Sequence, residues 1–132
     1  MVKSRPVISF LKKKFGKQFI ITTEASNKLD LDNDAYYSPD LLLRDKKDNN
    51  IKAIIEVEQG ARKHMVGGVI TADYCIRGSK NKPLMCVLAL HKQDKKDYLK
   101  RLTLLKYYSK RFSKIVIGSR DEIVKELLNL KS

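Results

Sequence analysis

The sequence predicts an α/β fold, a mixed central sheet flanked by helices, in a single domain. Three observations predict it. Apolar runs of strand length are separated by stretches whose apolar residues recur at helical spacing. The two kinds of segment alternate in the order αβββαβαβα. And 132 residues suffice to bury one core but not two.

Val7, Ile8, Leu11 and Phe15 share a helical face behind Ser4 and a proline suited to a first turn, which predicts a helix over 5–15 that Gly16 ends. QFIITT, residues 18–23, reads as a strand, and the polar stretch from Ala25 to Ser38 as a loop. PDLLLR and IKAIIEVE are two further strands joined by the turn DKKDNN. Met65, Val69, Ala72 and Ile76 give residues 61–77 a helical period, which Gly67-Gly68 weakens. PLMCVLAL reads as a buried strand. Asp94 is expected to cap a long helix over 95–112, with Tyr98, Leu102, Leu105 and Tyr108 or Phe112 facing inward. KIVIG is another strand, and Ser119 with Glu122 forms a capping box ahead of a last helix carrying Ile123, Leu127 and Leu130.

Composition excludes several classes. Hydrophobic residues make up 42% and charged residues 33%, proportions that suit a globular rather than a disordered chain. PLMCVLAL is the longest apolar run and is far short of a membrane span. Lysines cut the apolar patch of MVKSRPVISFLKKKF, which is therefore not expected to be a secretory signal. Cys75 and Cys86 lack metal-ligand spacing and read as reduced core thiols, so a cytoplasmic protein without a membrane partner is expected.

The net charge of +13 is unevenly spread. From Glu24 to Glu58 there are nine acids against five bases, a net of −4; the remainder holds six acids against 23 bases, a net of +17. A basic body attracts phosphate polymers, while the acidic island repels them unless a cation sits there.

Three acids of that island interrupt apolar strands. If the DKKDNN turn centres near residue 48, antiparallel pairing sets Asp40 opposite Glu56. Glu58, two residues on, points to the same face. Clustered carboxylates in a half-buried place call for neutralisation, and a hard divalent cation commonly takes one or two of them.

Pro39-Asp40, followed by Glu56-x-Glu58 at the end of an apolar strand, resembles the motif of the PD-(D/E)XK nuclease superfamily. The αβββαβ order of residues 5–90 resembles that superfamily's restriction-endonuclease-like core, and the remaining elements resemble its usual extensions. The resemblance implies a metal-dependent endonuclease that hydrolyses phosphodiester bonds in DNA, commonly as a homodimer. It implies Asp40 and Glu56 as ligands of Mg²⁺ (or Mn²⁺), helped by the Val57 carbonyl. The departure is at position 58, where the family usually has lysine. Some restriction enzymes of the superfamily carry Glu there, which makes Glu58 a general base or second metal ligand. Loss of the lysine equally implies lost catalysis, and a third alternative has Lys63 or Arg62 reaching back from the next helix.

Other candidates surround the motif. Glu24 ends the first strand and is a candidate early acid; Gln59 either orients substrate or satisfies the strand end. His64 reads as a solvated or packed histidine before it reads as a functional one. Tyr36 and Tyr37 either stack on a nucleic-acid strand or anchor their loop to the core. Lys12, Lys13, Lys14, Arg62, Lys63, Arg77, Lys80 and Lys82 are the basic candidates for DNA contact, while Lys46 and Lys47 read as solvated turn charges. The competing functions are a nuclease-fold protein that binds nucleic acid without cutting it, and a basic RNA-binding domain whose acids are incidental.

Overall fold

A computed structural model describes residues 4–130. It is an α/β structure built on a five-stranded mixed sheet. The elements are α1 (Ser4–Phe15), β1 (Phe19–Thr23), β2 (Leu29–Asp30), β3 (Tyr36–Tyr37), β4 (Leu41–Asp45), β5 (Ile51–Glu58), α2 (Arg62–Cys75), β6 (Leu84–Ala89), α3 (Lys92–Leu99), α4 (Leu102–Tyr108), β7 (Lys114–Gly118) and α5 (Arg120–Leu128). The sheet order is β1-β4-β5-β6-β7, and β2 pairs with β3 in a separate small ribbon. β1, β4 and β5 are antiparallel, whereas β5, β6 and β7 run parallel. β5 is thus the strand at which the direction rule changes.

Period-two alternation divides the core between the two faces of the sheet. Leu42, Ile54, Met85 and Val87 pack under Met65, Val69 and Ala72 of α2, with Tyr98 and Leu105 from α3 and α4. Leu41, Leu43, Ile55, Cys86 and Leu88 face the other way, against Leu11 and Phe15 of α1 and Ile123 and Leu127 of α5. No helix among the described residues is long and apolar enough to cross a membrane. Cys75 and Cys86 are both free thiols, and burial within β6 pushes the Cys86 pKa up.

Local chemistry explains the boundaries. A Cβ on Gly16 would lie 2.7 Å from the Lys12 carbonyl, so α1 can turn off only at glycine. Gly60 has φ of +88°, the left-handed turn that reverses the chain from β5 into α2. Its N–H donates to Asp94 Oδ2 (3.0 Å) and its carbonyl accepts from the Tyr98 hydroxyl (3.0 Å), so α3 fixes the angle at which α2 starts. The Ser119–Glu122 capping box forms as expected at the start of α5.

Two expectations need correction. The stretch 25–38 is not all loop: β2 and β3 pair there, around Asp32, Asn33 and Asp34 with φ of 75°, 51° and 63°. Asp and Asn tolerate that left-handed region better than other side chains do, which lets three in succession make the reversal. The helix expected over 95–112 is two helices. Asp94 lies inside α3, and its carboxylate holds Gly60 rather than a helix end. The chain tightens where the Arg101 N–H bonds to the Tyr98 carbonyl three residues back, so Phe112 reaches the core from a loop.

Candidate active site

The site stands at the C-terminal end of β5, the place in an open α/β sheet where ligands bind. Leu41, Leu42 and Leu43 lie opposite Ile55, Ile54 and Ala53, and one more step of that register sets Asp40 opposite Glu56. This is the pairing expected from a turn centred near residue 48. The irregularity in the hairpin falls between Leu43 and Arg44, beside the turn, and leaves the site end in register. Asp40, Glu56 and Glu58 continue the parity of Leu42 and Ile54, so all three leave the sheet on the α2 face.

Asp40 and Glu56 hold each other through the backbone. The Asp40 N–H donates to Glu56 Oε1 at 2.9 Å, and the Val57 N–H donates to Asp40 Oδ2 at 2.8 Å. The ribbon supplies a third bond: the Tyr37 hydroxyl donates to Glu56 Oε2 at 2.5 Å. Tyr37 turns inward because it pairs with buried Leu29, and opposed residues share a face. Asn27 fixes the approach to Asp40. It is 1% exposed, donating through Nδ2 to the carbonyls of Pro39 (2.8 Å) and Thr22 (3.2 Å) while its Oδ1 accepts from the Thr22 hydroxyl. Continued to residue 39, the register sets Pro39 opposite Val57, and proline has no N–H to give the Val57 carbonyl.

These acids share a cleft of about 620 Å³ with Glu24, Ser38, Lys63, His64 and Thr71. Gly67 and Gly68 form its helical wall. A Cβ on Gly68 would come within 3.8 Å of Glu56 Oε2 and 3.9 Å of Glu58 Oε2, so glycine leaves the space between helix and carboxylates open. Burial pushes the Glu56 pKa up to about 8; the bonds from Tyr37 and the Asp40 N–H oppose that, and the charges of Asp40 and Glu58 add to it. Glu58 is also raised by burial, against the pull of His64, whose Nε2 stands 4.0 Å from Glu58 Oε1. Burial, with Glu56 next to it, raises the Tyr37 phenol as well.

The cleft therefore gathers acids whose charge the protein compensates incompletely, so Glu56 keeps its proton up to about pH 8 where no cation replaces it. Among the described residues no three His, Cys, Asp or Glu side chains already converge as a metal cage. A hard cation of the Mg²⁺ type needs less, because it keeps several waters and takes one or two carboxylates. Asp40 and Glu56, with the Val57 carbonyl between Glu56 and Glu58 and the glycine-lined gap beside them, fit that donor set.

The remaining candidates divide by position. Glu24 and Lys63 line the cleft, and Arg62 flanks it at the start of α2. His64 is not packed away but exposed beside Glu58. Gln59 faces out of the cleft, its Oε1 3.2 Å from His91 Nε2. Tyr37 is a half-buried hydrogen-bond donor to Glu56 rather than a stacking surface, while Tyr36 is 56% exposed under Lys28. Lys12, Lys13 and Lys14 do not flank the active face. They end α1, on the opposite face and near Phe19, which pairs with Asp45 at the far end of the sheet. Arg77, Lys80 and Lys82 follow α2 to that same far end, where Arg77 is bound to Asp32 at 2.6 Å. Lys46 is anchored on the Lys17 carbonyl (2.6 Å), and Lys47 is exposed. Sequence reasoning missed Asn27 and Asp73. The latter is buried and accepts from the Arg111 backbone (2.8 Å) and guanidinium (2.9 Å), joining α2 to the loop before β7.

A scan against protein-family models and a search of curated proteins returned no match to this chain.

Proposed function

We propose that this protein is a divalent-metal-dependent nuclease that hydrolyses phosphodiester bonds in DNA at the Asp40–Glu56–Glu58 cleft. The observation that carries the reading is the reciprocal lock of Asp40 and Glu56. It holds two carboxylates side by side in an open cleft of a chain whose net charge is +13. So costly an arrangement is retained where a cation or a reaction uses it.

Asp40, Glu56 and the Val57 carbonyl would hold Mg²⁺ or Mn²⁺. When bound, such a cation lowers the pKa of a water and offsets charge developing on the phosphoryl oxygens. Glu58 takes the role of general base. Its raised pKa brings it nearer to neutrality, where a base accepts a proton most effectively as the water oxygen attacks phosphorus and the P–O bond to the leaving strand breaks. His64 lies within reach of Glu58 to stabilise the carboxylate. Lys63, at the rim of the cleft, faces an incoming phosphate in place of the lysine the motif would carry at position 58. A homodimer would bring two such clefts to the two strands of a duplex.

Plasmid, single-stranded and branched DNA incubated with Mg²⁺ or Mn²⁺, against EDTA, tests the reading. Cleavage that needs metal and vanishes in Asp40→Ala and Glu56→Ala supports it. Calorimetric Mn²⁺ binding unchanged in both variants would remove the site. Metal binding without cleavage of any form would leave a nuclease-fold protein that binds nucleic acid without cutting it.

A further inference from the structure

A groove leaves the cleft between α2 and α4. It encloses about 440 Å³, shares Lys63 and Gly67 with the cleft, and adds Arg62, Val66, Arg101 and Leu104. Its rim is cationic and its floor apolar. Arg101 and Leu104 lie beside the first turns of α2, whereas Lys110 and Arg111 lie beside Ile76 and Arg77 after its last turn. α4 therefore runs along α2 in the same direction, away from the carboxylates.

On α4, Leu104 is followed at helical spacing by Tyr107 and Tyr108, 66% and 60% exposed, with ring centroids 4.8 Å apart. The core uses neither ring. Lys110 Nζ stands 5.3 Å above the Tyr107 ring. The line then reaches a pocket of about 160 Å³ lined by Lys80, Lys82 and Lys110, with Arg77 and Arg111. Among the described residues Arg62, Lys63, Arg101, Lys80, Lys82 and Lys110 make no ion pair, so their charge is available to a ligand.

We infer that the α2–α4 groove is a track for single-stranded DNA, running from the carboxylate cleft past Tyr107 to the Lys80–Lys82–Lys110 pocket. Cations spaced along an apolar floor match a phosphate backbone with its sugars and bases turned inward, and exposed aromatic rings stack bases regardless of sequence. Paired bases offer no free face to such rings, which favours a single strand over a duplex. The fourteen residues of α2 span about 20 Å, which at about 3.4 Å per stacked nucleotide accommodates about six. The direction of the track rests on the hydrolytic reading of the cleft; the binding does not.

Anisotropy of labelled oligothymidylates in EDTA measures the track without catalysis. Affinity should rise with length up to about six nucleotides and exceed that for a duplex of equal length. Tyr107→Ala should weaken single-strand binding about tenfold. Arg101→Glu combined with Lys110→Glu should weaken it well beyond Lys17→Glu with Lys125→Glu, the same charge change away from the groove. Equal losses in the two double variants, or tighter binding to duplex with Tyr107→Ala indifferent, would overturn the track. If the wild type cuts no DNA with either metal while the groove variants still lose binding, the hydrolytic reading falls and the track stands. Metal-dependent cleavage with groove variants that bind like wild type gives the reverse.

Discussion

Replacing Glu56 by Gln should stabilise the metal-free protein at neutral and alkaline pH, although it removes a site residue. Burial raises the Glu56 pKa from 4.5 to about 8 in the folded state, while the unfolded chain keeps the ordinary value. Below pH 4.5 both states hold the proton and nothing is lost. Between 4.5 and about 8 the unfolded state has released the proton that the folded state retains, so stability falls as pH rises. Above about 8 the loss levels off. At 1.36 kcal/mol per pH unit the full effect has a ceiling of about 5 kcal/mol. Glutamine carries no such linkage and can keep both local bonds. Its amide oxygen accepts from the Asp40 N–H, and its amide nitrogen donates to the Tyr37 oxygen. Urea unfolding of both proteins in EDTA across this range gives the difference directly, because the other titrating groups largely cancel. The variant's advantage should grow with pH up to about 8 and then plateau. A difference that stays constant with pH would refute the account of Glu56 as a carboxyl strained by burial.

The same proton couples to metal. Mn²⁺ affinity should rise with pH up to about 8, with proton release detectable in weakly buffered calorimetry, since a cation must displace the proton on Glu56. Gly68→Ala should raise thermal stability by about 1 kcal/mol through helix propensity. Its methyl would stand against Glu56 and Glu58, so Mn²⁺ affinity measured by calorimetry should fall. Glu58→Gln should lose about 10²–10⁴ in cleavage rate while keeping DNA affinity, and Glu58→Lys should recover part by rebuilding the motif. Lys63→Ala proving the more damaging change would move the base away from Glu58. Asp73→Ala should cost about 1–3 kcal/mol in urea unfolding, because it strips the acceptor from the Arg111 N–H and guanidinium.

The parts of this structure legible from sequence were those set by short-range chemistry. The β4–β5 register followed from the turn composition and the apolar runs, and it carried Asp40, Glu56 and Glu58 to one face. The capping box of α5 followed from a four-residue pattern. Other features depend on contacts far apart in the chain. Two-residue strands leave no periodic signal, so the ribbon bearing Tyr37 was invisible, and with it the bond that bridges nineteen positions to Glu56. The break between α3 and α4 falls where the Arg101 N–H bonds back to the Tyr98 carbonyl, and the Tyr98 hydroxyl reaches Gly60, thirty-eight residues away. Charge counting found the basic surplus but not its placement. Lys12, Lys13 and Lys14 end on the far face, while Arg101, absent from the sequence candidates, lines the groove beside the cleft and Lys110, also absent, a separate pocket beyond the end of α2.

The buried Asn27 amide has a consequence for how the protein ages. Side-chain amides of Asn are among the heat-labile groups of proteins. Hydrolysis to aspartate would turn the two donated bonds, to Thr22 and Pro39, into a carboxylate pressed against two carbonyl oxygens. The loop would be pushed away from Pro39, and Asp40 follows Pro39 directly in the chain. Storage damage at a residue outside the cleft would thus spread the pair of carboxylates apart, undoing the proposed metal site while the helices and sheet remain folded.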